Sequence, residues 1–204
     1  MPKEIEAKFK VATFAAVRRA LRLAGAKRLG CAIQTDRYFD TASRVLLKAD
    51  SGVRMRLSKP PKTGASGRSC RDSHVLLTFK GPAKKGSRAK IRSEFQVRLA
   101  DPAAVEAVFA QCGLKPVLTI QKRRESFRLG KTLIELDELP LIGRFVEIEA
   151  AGEKTIDKVR RMLALPDKPI NDHYVNLLLA ACRRVNKTCG EISFNACRDC
   201  LAIR

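Results

Sequence analysis

Alternation of apolar and charged residues is the dominant pattern along this chain, and it predicts β-strands. The first example is residues 3–9, KEIEAKF, in which the charged residues Glu4, Glu6 and Lys8 alternate with the apolar residues Ile5, Ala7 and Phe9. Successive side chains of a strand leave opposite faces, so this segment has one apolar face and one charged face. The same pattern predicts further strands near 31–39, 52–57, 75–80, 91–99, 117–129, 132–138 and 144–150.

Apolar residues at helical spacing predict four amphipathic helices between and after these strands. Thr13 is placed to cap the first helix, and Asp101 followed by Pro102 is a strong start for the second. Gly25 and Gly113 are placed to end these two helices. The second helix has an apolar stripe that predicts a buried face, consisting of Val105, Val108, Phe109 and Cys112. The last two helices are predicted over roughly 154–164 and 172–185, the final one capped by Asp172.

Short turns between the strands favour antiparallel pairing within one sheet. The apolar strand faces need partners, and the helices carry matching apolar stripes. If the helices cover the outside, the charged strand faces are left inside the curvature of the sheet. The pattern therefore predicts an α+β fold, an eight-stranded antiparallel β-barrel or tunnel with flanking amphipathic helices, over residues 1–186. The alternative is an open sheet whose charged faces meet water.

The amino-acid composition limits the class of protein and the cellular compartment that are expected. With 45% hydrophobic and 30% charged residues the chain is typical of globular proteins, and no apolar run approaches the ~20 residues of a membrane helix. The segment after residue 3 is polar, so a signal peptide is not expected. Seven cysteines without a regular framework indicate reduced thiols, and the predicted location is cytoplasmic.

The C-terminal tail, residues 187–204, is predicted to lie outside the barrel domain. It contains Cys189, Cys197 and Cys200, which together with Cys182 offer four thiols that include one Cys-x-x-Cys pair. A zinc site is one interpretation, but the two paired pairs of common zinc sites are missing. Buried or frayed thiols are the alternative.

The balance of charge points to an anionic partner. Lys and Arg number 41 against 21 acidic residues, a formal net charge of +20. Such a charge attracts nucleic acid, phosphate-rich small molecules or anionic lipid. Aromatic residues are only 5% and there is no Trp, so stacking surfaces for single strands are poorly supplied. The basic loops 59–73 and 84–90 could make weak non-specific RNA contacts, with a solubilising surface as the alternative.

The charged faces of the predicted strands have a shared composition. Their basic members are Lys8, Arg54, Arg56, Lys80, Arg92, Lys122 and Arg124. Their acidic members are Glu4, Glu6, Glu94, Asp137, Glu147 and Glu149. Guanidinium groups bind phosphate oxygens in a forked geometry, and carboxylates bind Mg²⁺ or Mn²⁺. A lumen with both sets predicts binding of a metal-bound polyphosphate.

The order of these motifs resembles the CYTH superfamily of triphosphate tunnel metalloenzymes over about residues 3–180. The matching motifs are Glu4-x-Glu6-x-Lys8, Arg54-x-Arg56, Lys80 before Gly81-Pro82, Arg92-x-Glu94, Lys122-x-Arg124, Asp137 and Glu147-x-Glu149. This superfamily includes class IV adenylate cyclases, thiamine triphosphatases and inorganic triphosphatases. Segments 34–40 and 142–149 are most similar to the class IV adenylate cyclase branch.

The resemblance implies a role for each matched residue. The implied ligands of Mg²⁺ or Mn²⁺ are Glu4, Glu6, Glu147 and Glu149. The implied triphosphate-binding residues are Arg54, Arg56, Lys80, Arg92, Lys122 and Arg124. The implied catalytic residues are Lys8 at the tunnel floor, Asp137 as metal ligand or water-positioner, and Glu94 as a residue that orients the basic groups or assists the metal. Two positions depart from the family pattern: Gln96 replaces a frequent Glu, and His173-Tyr174 replaces a common Ser-Tyr pair.

The predicted function is a divalent-metal-dependent enzyme that acts on ATP or tripolyphosphate. The cyclase-like segments favour conversion of ATP to cyclic AMP and pyrophosphate. Hydrolysis of a terminal phosphate, by an inorganic or thiamine triphosphatase, remains the alternative. A non-catalytic binder of polyanions or nucleic acid is a further hypothesis, although lumenal carboxylates weaken anion binding unless a metal lies between. No membrane partner is expected, and a homodimer is left open.

Overall fold

The computed structural model describes residues 3–60, 73–84, 86–184 and 190–197. The strands there are β1 (Lys3–Val11), β2 (Lys27–Asp40), β3 (Gly52–Lys59), β4 (His74–Lys80), β5 (Lys90–Leu99), β6 (Lys115–Leu129), β7 (Thr132–Leu139), β8 (Gly143–Glu149) and β9 (Glu191–Ile192). The helices there are α1 (Ala15–Leu23), α2 (Val45–Lys48), α3 (Pro102–Gln111), α4 (Glu153–Met162) and α5 (Tyr174–Arg184). Most of the predicted basic loop 59–73 falls outside the described residues.

The eight long strands form the predicted closed antiparallel barrel. Neighbouring strands follow the order β2, β3, β4, β5, β1, β8, β7, β6, and β6 pairs back onto β2. All eight contacts between neighbours are antiparallel. Because the ring closes, each of these strands has a neighbour on both sides. The short strand β9 pairs in parallel with Thr119 and Ile120 of β6.

The larger hydrophobic core lies between the outside of the barrel and two helices. Outward-facing residues of β1, β6, β7 and β8 supply one side of it: Phe9, Phe127, Ile134, Val146 and Ile148. Helix α1 supplies Val17 and Leu21, and α4 supplies Ile156 and Val159. These helical residues recur at intervals of three and four, so each helix buries one stripe, as the sequence predicts.

A second core, which we call the lumen-end core, lies on the lumenal side at one end of the barrel. Leu118 and Ile120 share a strand face with Lys122, so they point inward like it. They pack in one cluster with Leu178 and Cys182 of α5. Helix α5 therefore fills one end of the barrel interior rather than covering its outside.

Two helices differ from the sequence-based expectation. Helix α3 has no buried residue and Val108 is 59% exposed, so the predicted buried stripe is wrong. Of that stripe, Phe109 packs edge-on against Phe39 with ring centroids 5.2 Å apart. The contacts of α3 with the barrel are made to β2, through Phe109 and through an ion pair between Glu106 and Arg37. Helix α2 is too short, at four residues, for periodicity to reveal it.

The predicted helix ends are mostly confirmed. Gly25 and Gly113 follow α1 and α3 with φ of 70° and 75°, a region that glycine adopts without strain. The Asp101 carboxylate accepts a hydrogen bond from the Ala104 N–H at 3.0 Å and caps α3. Thr13 lies one residue before the N-cap Phe14 and accepts a 3.3 Å hydrogen bond from the Ala15 N–H.

The described part of the C-terminal tail packs onto the barrel. Ile192 is fully buried and Cys197 is 4% exposed, both in the lumen-end core. Cys182 is disulfide-bonded, which departs from the expectation of reduced thiols. The other proposed zinc ligands, Cys189 and Cys200, lie outside the described residues. None of the helices in the ranges given above is both long enough and apolar enough to cross a membrane.

Candidate functional site

The barrel encloses a cavity of about 1060 Å³. The strands supply its charged walls, and residues of α2 and α5 complete its lining. Every site residue predicted from the sequence lines this cavity except Asp137, which lies fully buried behind the wall. Strand alternation is the reason that residues far apart in sequence converge, because each charged strand face turns inward.

Arg124 is the centre of a buried ion-pair network around Asp137. Its guanidinium donates to Asp137 Oδ1 at 2.6 Å and to Glu147 Oε2 at 2.5 Å, and it also contacts Glu135. Lys122 Nζ donates to Asp137 Oδ2 at 3.0 Å. Burial opposes ionisation of Asp137, yet the Arg124 and Lys122 charges hold its pKa well below the usual range. Asp137 thus orients two of the predicted triphosphate-binding cations.

The charge of Lys122 is only partly compensated within this network. Burial, followed by repulsion from Arg124, lowers the pKa of Lys122 to about 8. The nearby Asp137 carboxylate is shared with Arg124. An anion that enters the tunnel would stabilise the ammonium form, which makes this position suited to a phosphate group.

Lys8 lies at the end of the lumen that α5 fills. Its Nζ donates to the main-chain oxygen of Asp172 at 3.0 Å and lies 3.8 Å from the centroid of the Tyr174 ring. Glu147 Oε1 is 3.7 Å away. His173 Nε2 lies 3.1 Å from a terminal nitrogen of Arg92. His173 and Tyr174, the pair that departs from the family pattern, therefore both reach the tunnel.

Asp36 on β2 is a site residue that the sequence analysis did not single out. Its carboxylate accepts hydrogen bonds from Arg56 Nε and Nη2 at 2.6 and 2.7 Å, and it lies 3.6 Å from Arg54. Although burial would raise the pKa of Asp36, these guanidinium groups hold it well below its usual range. The pairing of β2 with β3 would have identified Asp36, because Asp36 and Arg56 are register partners on the inward faces of these adjacent strands.

A cluster of carboxylates forms a separate part of the lumen. Burial and neighbouring carboxylates raise the pKa of Glu149 to about 7, the contributing neighbours being Glu4, Glu135, Glu94 and Glu6. Lys80 Nζ lies 2.7 and 2.6 Å from the two oxygens of Glu4 and 3.4 Å from Glu94, and Arg124 contacts Glu135. The cluster therefore holds more negative charge than Lys80 alone compensates. Glu135, like Asp36, was missed as a site residue.

The carboxylate cluster fits a divalent cation by its chemistry, although it is not assembled as a metal site. Across the described ranges, no three His, Cys, Asp or Glu side chains come close enough to hold a metal. Glu147 pairs with Arg124 and Lys8 instead. Carboxylate oxygens with uncompensated charge are the ligands that Mg²⁺ and Mn²⁺ prefer. The four-glutamate ligand set stays a prediction.

Several buried donors near the cavity have no hydrogen-bond partner among the described residues. They include Arg54 Nε, Arg92 Nε and Lys90 Nζ. Buried donors are almost always satisfied, so unpaired ones indicate where a further acceptor can bind. Lys90 was not predicted from the sequence; it is the register partner of Glu6, and burial followed by repulsion from Lys8 lowers its pKa to about 8. Arg54 and Arg92 both line the cavity, where an anion could accept from them.

Comparison with known proteins places the chain in a family. Residues 2–163 match the model of the CYTH domain, which is most of the chain. The chain therefore belongs to the CYTH domain family, and the resemblance seen in the motifs is confirmed.

Individual relatives agree with this assignment. A Methanocaldococcus jannaschii protein named "putative adenylate cyclase" is 27% identical over 146 residues, 72% of this chain and 75% of the relative. The structure of the PH1819 protein from Pyrococcus horikoshii matches with a TM-score of 0.72 and 26% identity, over 87% of this chain and 98% of that one. A Hippeastrum protein described as a "putative adenylyl cyclase" with a dominant triphosphatase activity matches with a TM-score of 0.62. At 16% identity, over 91% of this chain and 97% of that one, this likeness shows the fold alone.

Proposed function

We propose that this member of the CYTH domain family is a divalent-metal-dependent enzyme that acts on a triphosphate, with ATP as substrate and cyclic AMP and pyrophosphate as products. The observation that carries the proposal is the convergence of six Arg and Lys side chains on one enclosed cavity beside a carboxylate cluster. The cyclase assignment draws support from the cyclase-like segments 34–40 and 142–149 and from the name of the M. jannaschii relative.

The Arg and Lys side chains would bind the successive phosphates of the substrate along the tunnel. Arg54, Arg56 and Lys122 approach from neighbouring strands β3 and β6 on either side of β2. Asp36 and Asp137 fix the guanidinium groups of Arg56 and Arg124 before the substrate arrives. Such preorganised charges stabilise the charge that develops on a leaving pyrophosphate without reorganisation during the reaction.

The carboxylate cluster would supply the metal-binding part of the site. Glu4, Glu6 and Glu149 are the residues that would hold Mg²⁺ or Mn²⁺, with Glu147 as a further candidate. A bound divalent ion would supply positive charge that neutralises the phosphates. Lys80, whose Nζ donates to both oxygens of Glu4 at 2.7 and 2.6 Å, would lie between this cluster and the phosphates.

Two reactions are compatible with such a tunnel. In cyclisation the 3′-hydroxyl of ATP attacks the α-phosphorus, the bond to the bridging oxygen breaks, and pyrophosphate leaves. In hydrolysis water attacks the terminal phosphorus, the bond from that phosphorus to its bridging oxygen breaks, and the diphosphate leaves, ADP in the case of ATP. The triphosphatase activity described for the Hippeastrum protein makes identification of the products essential.

Product analysis tests this proposal directly. The purified protein would be incubated with ATP or tripolyphosphate and Mg²⁺ or Mn²⁺, and the products separated by anion-exchange chromatography. Cyclic AMP with an equal amount of pyrophosphate is the expected result. Formation of ADP and phosphate from ATP would instead identify the protein as a triphosphatase. If neither substrate is turned over with either metal, the proposal that the protein is an enzyme is contradicted.

A further inference from the structure

Arg92 on β5 is bound differently from Arg56 and Arg124, two other buried arginines of the tunnel. Asp36 forms an ion pair with Arg56, and Asp137 forms one with Arg124. Arg92 is as deeply buried, at 5% exposed, yet among the described residues it forms no ion pair. Its guanidinium therefore has a positive charge that no directly bonded carboxylate compensates.

The hydrogen-bond partner of Arg92 is the imidazole of His173. The terminal nitrogen Nη2 of Arg92 donates to His173 Nε2 at 3.1 Å. A guanidinium carries donors only, so Nε2 must be the unprotonated, accepting nitrogen of a neutral ring. Burial, together with repulsion from Lys90, Arg92 and Lys8, lowers the pKa of His173 to about 4 and so favours this neutral form.

Asp50 offers the same ring a competing arrangement. Its Oδ1 lies 3.3 Å from His173 Nε2 and can accept a hydrogen bond only if that nitrogen is protonated. In that arrangement the imidazolium would repel Arg92. The Asp50 side chain is half exposed and its Oδ2 accepts from the Ala83 N–H at 2.8 Å. Its attraction does not outweigh burial and the cations around His173.

The main chain holds His173 in position on both sides. Before it, the Ile170 N–H donates to the Lys8 carbonyl at 2.7 Å, and Lys8 Nζ donates to the Asp172 carbonyl at 3.0 Å. After it, the Leu177 N–H donates to the His173 carbonyl at 3.1 Å, which joins His173 to the first turn of α5. A group that is held in this way orients its partner with little further loss of entropy.

A neutral acceptor affects the guanidinium of Arg92 differently from a carboxylate. Arg92 lines the cavity, and its buried Nε has no hydrogen-bond partner among the described residues. A carboxylate in the place of the His173 ring would orient the guanidinium, but it would also compensate the charge and weaken the attraction for a phosphate. The neutral imidazole orients the guanidinium and leaves its charge to act on an anion in the cavity.

We propose that His173 is a positioning residue that holds Arg92, through a neutral hydrogen-bond acceptor, for binding of a substrate phosphate. The inference rests on the proposed function, because that function supplies the phosphate. Arg92 touches the substrate, and His173 acts through Arg92. The motifs of the family do not assign this role, since His173 belongs to the pair that departs from the family pattern.

Three substitutions of His173 separate this role from a merely structural one. Titration calorimetry would measure the Kd of α,β-methylene-ATP, with Mg²⁺ present, for the wild type and each variant. His173→Gln keeps a neutral acceptor, so it is the matched control and should keep the wild-type Kd. His173→Leu has no acceptor, and the acceptor of His173→Glu compensates the charge of Arg92. Each of these two variants should raise Kd about tenfold.

A double-mutant cycle tests whether His173 acts through Arg92. Arg92→Ala leaves no unpaired carboxylate among the described residues, because Arg92 forms no ion pair there. In this background His173→Leu should weaken binding of the analogue no further, since the group that it positions is absent.

The outcomes separate the inference from the proposed function. A wild-type Kd in His173→Leu, equal weakening by the Leu and Gln variants, or additive losses in the double-mutant cycle would each overturn the role of His173 and leave the triphosphate site intact. Failure of the wild type to bind the analogue would contradict the proposed function and, with it, this inference.

Discussion

Arg56 and Asp36 form a two-pronged ion pair inside the barrel, with Nε–Oδ1 and Nη2–Oδ2 distances of 2.6 and 2.7 Å. Both side chains are more than nine-tenths buried. The pair fixes one guanidinium of the phosphate-binding wall, and Asp36 also lies 3.6 Å from Arg54. A single carboxylate thus organises the two arginines of the Arg54-x-Arg56 motif.

Replacing Asp36 by Asn should destabilise the protein strongly. Loss of one partner from a buried ion pair leaves an uncompensated charge, which typically costs about 3–5 kcal/mol. Urea denaturation followed by circular dichroism would measure the change. Asp157→Asn on α4 is the control, because Asp157 also pairs with arginines but on the surface, and should change stability little. Equal effects of the two substitutions would contradict a structural role for the buried pair.

Arg54→Ala should weaken substrate binding more than it lowers turnover. Arg54 lines the cavity, and its buried Nε has no hydrogen-bond partner among the described residues, so this donor is available to a phosphate. Loss of a charge-assisted contact is expected to raise KM by about tenfold or more. Steady-state kinetics would separate KM from kcat. Arg19→Ala, at an exposed position of α1, is the control, and an unchanged KM in Arg54→Ala would remove Arg54 from the phosphate site.

Divalent metal should stabilise the protein through the carboxylate cluster. Mn²⁺ or Mg²⁺ would relieve repulsion among Glu149, Glu4 and Glu6, so Tm should rise by several degrees at millimolar metal. Glu4→Ala, Glu6→Ala and Glu149→Gln should each reduce this rise and the metal-dependent turnover. Glu191→Gln, at an exposed position of β9, should keep both. Full metal response and activity in the Glu4 and Glu6 variants would refute the metal assignment.

His173 should make stability fall in mild acid. Burial, with repulsion from Lys90, Arg92 and Lys8 that outweighs the attraction of Asp50, lowers the pKa of His173 to about 4. The unfolded chain takes up a proton near pH 6.5 and the folded chain only near 4, so this contribution is complete above pH 6.5 and is lost as pH falls toward 4.

The measurement compares wild type with His173→Gln at pH 7 and pH 4.5. Between these values the wild type should lose about 1–2 kcal/mol more unfolding free energy than the variant, allowing for partial solvent screening. Titrations of carboxylates that do not contact His173 are common to both proteins and cancel in the difference, whereas Asp50, 3.3 Å from His173, contributes to it. If the unfolding free energy of the two proteins has the same pH dependence, the pKa of His173 is not lowered in the folded protein.

Ile192→Ala should destabilise the whole barrel, although Ile192 belongs to the C-terminal tail. The side chain is fully buried in the lumen-end core, and truncation of a buried Ile typically costs about 2–5 kcal/mol. Denaturant unfolding would report the loss, with the exposed Leu23→Ala as control. A negligible effect would mean that residues 190–197 dock without contributing to stability.

Much of this molecule follows from local sequence pattern. Alternation within each strand identified all eight barrel strands and assigned Glu4, Arg56 and Lys122 to one shared surface. That assignment needs no tertiary information, because the pleat alone puts alternate residues on one face. Asp101 and Gly113 marked the ends of α3 for equally local reasons.

Other features depend on contacts that no local pattern contains. The role of Asp36 follows from its register with Arg56 on β3, and register depends on the whole ring of strands. The exposure of Val108 depends on where α3 lies against the barrel, which the periodicity of the helix does not specify. Helix α2 has only four residues, too few for a periodic signal.

By itself, then, the amino-acid sequence determined the strands, the inward direction of their charged faces and the chemistry those faces carry, since each of these follows from the side chain and its immediate neighbours. Only the tertiary structure decided which charges meet, that Arg124 engages Glu147 while Glu149 remains among carboxylates, and that α5 and α2 complete the lining of the cavity. Those outcomes depend on barrel closure, which brings together residues more than a hundred positions apart.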